Sequence, residues 1–106
     1  MRLTPELVRE AYEKTNITPI KEDYGYLTDE GCAGCGITAV LSHIKGEFTV
    51  PEDYEEAARL LGCSNEYASG FVRGFDGDQS EHATGDTALG MEDGNAAWEA
   101  VIELTK

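Results

Sequence analysis

Cations are scarce in this chain. Eight Lys and Arg face 21 Asp and Glu, and the formal net charge is −13 over 106 residues. A surface this acidic repels phosphate backbones and anionic headgroups, which excludes nucleic acid and membranes as direct partners. Long apolar runs are missing too. The longest lies near Ile37 to Leu41, far short of the roughly 20 residues that span a bilayer, and residues 1–20 lack the apolar core of a secretory leader. A cytoplasmic chain follows from that reading, and in the cytoplasm its three cysteines are expected to be reduced. Signatures of catalysis are also absent: there is no phosphate-cradling Gly-rich loop, no dinucleotide fingerprint and no Gly-x-Ser-x-Gly elbow. Large apolar side chains are few, so the core is modest, and the length fits a single domain over 1–106.

Helical signals dominate what is there. Thr4 is placed to cap a first helix, with Pro5 at its first position and Leu3 and Val8 as a hydrophobic staple; Asn16 and Pro19 end it. Residues 17–28 read as an extended connection. The next helix is expected over 29–45, stopping at Gly46; it is apolar or small on every side, which places it at the centre of the core, with a strand as the lesser alternative. A third helix is predicted from Thr49, with Pro51 in its first turn and Glu52, Asp53, Glu55 and Glu56 suiting its dipole. Ser64 caps a fourth helix over 64–76, and a fifth is expected over 86–104. The predicted fold is therefore all-α, a compact domain of about five helices around the central one.

Glycine is the feature most out of place. Gly70 and Gly74 fall inside the fourth helix and Gly90 and Gly94 inside the fifth, each pair four residues apart and so on one helix face. A glycine in a helix interior costs about 1 kcal/mol relative to Ala. Four of them point to a compensating gain, the near contact of two backbones, as small residues allow between membrane helices. The two helices are expected to cross tightly, within one chain or across a dimer, with Gly70, Gly74, Gly90, Gly94, Phe71 and Trp98 as the interaction residues.

Cys32-Ala-Gly-Cys35, at the expected start of the central helix, is the sharpest local motif. It resembles the Cys-x-x-Cys that opens a helix in thioredoxin-like oxidoreductases, where the helix dipole lowers a thiol pKa. The likeness covers about five residues, without the βαβ pattern of that family, and it implies thiol redox chemistry. Zinc is the other reading of the cysteines. A structural site needs four ligands. His43 sits eight residues beyond Cys35, about 12 Å along the same expected helix, which leaves Cys32, Cys35, Cys63 and His82 as the set.

Two further motifs lead away from function. The acidic turn from Asp76 to Glu81 has Glu81 where an EF-hand loop needs Gly and Thr87 where it needs Glu. Ala57 to Tyr67 resembles the turn of a helix-turn-helix, with Gly62 in the turn and Ser64 as cap. The following helix has Arg73 as its only cation, so the geometry is kept and DNA binding dropped. The leading reading is a small acidic non-enzymatic interaction module, self-associating or a subunit of a larger assembly. The alternatives are a thiol redox or zinc-binding protein built on Cys32 and Cys35, and an acidic decoy that occupies a nucleic-acid-binding protein.

Overall fold

The computed structural model describes residues 2–29, 31–78 and 83–105. Helix α1 runs Pro5–Thr15; the Thr4 hydroxyl accepts from the Leu7 amide, and Asn16 closes the helix in the left-handed conformation. Leu3 and Val8 are both buried, as a staple requires.

The chain is mostly helical but not all-α. Between α1 and the central helix it forms a three-stranded mixed sheet: β1 (Thr18–Pro19), β2 (Gly25–Thr28) and β3 (Gly31–Gly34), in the spatial order β1-β3-β2. β2 and β3 form an antiparallel hairpin, with Leu27 opposite Cys32 and Thr28 opposite Gly31; β1 pairs parallel to β3. The central helix α2 is accordingly Gly36–Lys45 rather than 29–45. Glycine explains the difference. Gly31 takes a φ of 140°, which no helix contains, and helix propensity is poor across a stretch with Gly31, Gly34 and Gly36. A Cβ on Gly34 would lie 2.8 Å from Thr38 Cγ2, so the strand comes in against the helix that follows it.

The expectation that α2 is central holds for the part that is helical. Ile37, Ala39, Val40 and Leu41 are buried, and Thr38 and Ser42 with them. After α2 the chain does not start a helix at Thr49. Thr49 instead donates its amide to Ser42 Oγ at 2.8 Å and straps the chain to α2. Helix α3 (Tyr54–Leu61) begins after Asp53, whose carboxylate accepts from the Glu56 amide at 2.9 Å. Pro51 therefore precedes the helix. Gly62, left-handed at φ 74°, makes the turn into α4 (Asn65–Phe75), which Ser64 caps. Helix α5 (Gly85–Val101) ends in a short 3-10 turn, Ile102–Thr105.

Tyr12, Phe75 and Phe71 stack in series through the core, with the Phe75 ring centroid 6.4 Å from that of Tyr12 and 6.0 Å from that of Phe71. The radius of gyration is 12.4 Å, that of a compact chain of this length. No helix is long and apolar enough to cross a membrane among the described residues.

Candidate functional site

The glycine faces meet inside the chain. A Cβ on Gly70 would lie 2.9 Å from the Thr87 carbonyl carbon, and one on Gly74 would lie 2.7 Å from Met91 Cα. The reverse holds as well: a Cβ on Gly90 would lie 2.8 Å from the Phe71 amide nitrogen, and one on Gly94 would lie 2.6 Å from that of Phe75. Helices α4 and α5 thus cross backbone on backbone, and all four glycines are buried. Phe71 is fully buried in the core beside them. Trp98 and Phe75 meet edge to face with centroids 5.3 Å apart, and Lys21 Nζ lies 4.5 Å from the Trp98 ring centroid, so the indole has two partners in the chain. The residues marked for interaction are engaged internally.

The cysteines are dispersed. Cys32 lies on β3 and is half-buried, whereas Cys35, three residues on, is the buried N-cap of α2. Extended backbone between them sends the two side chains to opposite sides, and they line separate cavities. Burial pushes the Cys35 thiol up, and its contacts with Thr38 offset this only in part. Cys63, in the α3–α4 turn, is also pushed up by burial. His82 lies outside the described residues. Among the described residues, no three His, Cys, Asp or Glu side chains come together as a metal site requires.

The hairpin brings together two residues that the sequence held apart. From Cys35, β3 extends about 10 Å back to Cys32, while α2 climbs a similar distance from Gly36 to His43. The two run side by side, so Cys32 and His43 line one cavity of about 350 Å³, with Lys14, Ser42 and Phe48. A helix drawn from residue 29 hides this pairing. The signal that could have revealed it is the run of glycines before Ile37.

The surface left uncovered is at the β2 edge. Cys35 donates its amide to the Tyr24 carbonyl at 3.0 Å. The antiparallel alternation then turns the backbone groups of Tyr26 and Thr28 towards β3 and those of Gly25 and Leu27 away from it. The Gly25 amide is taken by the Asp23 carboxylate at 3.2 Å. Leu27 keeps both its N–H and its C=O pointing outward, and its side chain is 73% exposed, the most of any large apolar residue described. Leu27 and Gly25 share a face of the strand, and Val50 Cγ2 lies 3.3 Å from where a Gly25 Cβ would be. Val50 and Tyr54, both exposed, therefore extend the apolar surface from β2 towards the start of α3. Tyr24, just before β2, is partly buried. Burial first, and then the nearby charges of Cys35, Asp53 and Asp76, push its phenol up to about 12.

Comparison with known protein families, with curated proteins and with solved structures gave no match.

Proposed function

We infer that this chain is a non-enzymatic protein-binding module whose contact surface is the β2 side of the sheet. Leu27 carries the reading. A chain with few large apolar residues leaves one of them largely in water, on a strand whose outer edge has no partner strand among the described residues. Exposed apolar side chains on a sheet edge are what partner proteins engage. The glycine pairs, which suggested self-association, are consumed by the α4–α5 crossing and no longer argue for a dimer. The dispersed cysteines give no support to a dithiol mechanism.

A photo-crosslinking amino acid placed at Leu27 tests the reading in cells of the source. The expected result is a discrete protein adduct, absent when the same group is placed at Glu10, an exposed position on α1. Excess unlabelled chain should suppress the adduct and excess Leu27→Lys chain should not. Equal labelling at both positions, or none at position 27, ends the reading.

A further inference from the structure

We propose that the partner at this surface is an extended basic segment, which adds to the sheet as a fourth strand along β2. The inference rests on the protein-binding reading above and names the occupant. Two observations select it. The first is backbone geometry: Leu27 offers one outward donor and one outward acceptor, and the Gly25 carbonyl points the same way. An extended chain running antiparallel to β2 meets all three, as in strand addition to an open sheet edge.

The second is charge. Residues 22–29 carry Glu22, Asp23 and Asp29, and residues 47–56 carry Glu47, Glu52, Asp53, Glu55 and Glu56; neither stretch contains a Lys or Arg. These two stretches are the ones that frame Leu27, Val50 and Tyr54. A second copy of this chain would set acid against acid across a β2–β2 pair, which disfavours it. A segment with an apolar centre and Lys or Arg at its flanks fits both the strand and its rim. Leu27, Val50 and Tyr54 would take the apolar residues that alternate towards this chain, and the framing carboxylates would take the cations.

The probe is a short peptide of alternating valine and threonine with paired lysines at each end, titrated into the labelled full chain and followed by amide chemical shifts. The expected response is confined to residues 23–28 and 47–54, weakens at least tenfold on going from low to high salt, and is absent for the same peptide flanked by glutamates. Leu27→Pro removes the outward donor without touching the β2–β3 ladder and should weaken binding about tenfold or more. Leu27→Lys, which keeps the backbone, should weaken the lysine-flanked peptide as well. Equal binding of the glutamate-flanked peptide overturns the proposal. So does concentration-dependent dimerisation that shifts the same amides without peptide. A specific crosslink at position 27 with no response to the lysine-flanked peptide overturns the basic-strand inference alone and leaves the protein-binding role standing.

Discussion

Gly74 and Met91 lie so close that any side chain on the first would be driven into the backbone of the second. A Cβ on Gly74 would sit 2.7 Å from Met91 Cα, and backbone, unlike the end of a flexible side chain, has no rotamer through which to retreat. Overpacking of a core costs about 1–3 kcal/mol when side chains can adjust. Gly74→Ala should therefore cost about 3 kcal/mol or more, and Gly90→Ala or Gly94→Ala a similar amount, as measured by urea unfolding. Gly46→Ala is the contrast. Nothing lies within 4 Å of its Cβ position, and the cost is only that of a left-handed residue at a helix end, about 1 kcal/mol. If Gly74→Ala cost no more than Gly46→Ala, the crossing would be looser than described.

The N-terminal segment is fastened to the same helix pair by a buried carboxylate. Asp93, on α5, accepts from the Tyr67 hydroxyl at 2.5 Å and from both arms of the Arg2 guanidinium at 3.1 and 2.7 Å. Tyr67 Oη also accepts from the Leu3 amide at 2.8 Å. Removing the acceptor strands a buried hydroxyl and leaves the guanidinium unpaired. Asp93→Ala should cost about 1–3 kcal/mol, the scale of a buried hydroxyl left without its acceptor. Tyr67→Phe leaves the Arg2 fork in place and should cost about 1–2 kcal/mol. The double variant should cost less than the sum, because the two residues share one bond. Full additivity in a double-mutant cycle would show that the bond contributes nothing.

What could be read in advance, and what could not, follows the range of the interactions. The caps at Thr4 and Ser64 are local side-chain chemistry, and both stand where they were expected. The glycine pairs were legible because a cost spread over four positions demands a near contact. Which pair of helices makes the contact, one chain or two, depends on the connection through residues 77–84 and was open in the sequence. The sheet was missed for a different reason. Its strands are two to four residues long, too short for alternation to register, and Cys-x-x-Cys beside a strongly helical run pulled the reading towards a longer helix. The cost of that error fell on the site. With β2 and β3 read as a loop and a helix start, Leu27 had no edge to stand on, and the cavity that Cys32 and His43 both line was hidden.

Thiol chemistry gives a direct check on how the cysteines are distributed. Cys35 is wholly buried and its thiol is pushed up, so it should remain unmodified by an aromatic disulfide reagent at pH 8 until the protein unfolds. Cys32, half-buried in the lining of the cavity it shares with His43, should be the thiol modified first. A vicinal-dithiol reagent such as phenylarsine oxide should not bridge Cys32 and Cys35, because their side chains line different cavities. Stoichiometric arsenical binding to the native chain, lost in Cys32→Ser, would put the two thiols together and revive the dithiol reading.

The ionisable groups with raised pKa values pull the same way at the two ends of the pH scale: each makes stability fall as pH rises through it. Tyr24 is raised to about 12, and burial holds the Tyr12 and Tyr67 phenols above their usual 10 as well. In each case the folded state holds the proton more tightly than the unfolded chain. Their contribution is complete below about pH 10 and is lost as pH rises through the folded values, so stability should fall progressively above pH 10. Tyr24→Phe should flatten the decline between about pH 10 and 12. Asp76 shows the same sign at the acid end. Burial raises it above 3.8, helped by the charge of Glu22 and opposed by the Glu22 amide, which donates to Oδ1 at 2.8 Å, and by Lys21. A raised carboxyl is one whose ionised form the fold disfavours. Its position at the C-terminal end of α4, facing the negative pole of the helix, disfavours the charge further. Asn at this position keeps the acceptor for the Glu22 amide and removes the charge. Asp76→Asn should therefore raise stability at pH 7 by a few tenths of a kcal/mol, roughly the scale of an exposed helix-end charge, and the gain should vanish below about pH 4, where the wild-type carboxyl is itself protonated. Thermal melts of the two chains at pH 7 and pH 3.5 measure both arms, and a loss of stability at pH 7 would mean that the ionised carboxylate is needed to hold the Glu22 segment.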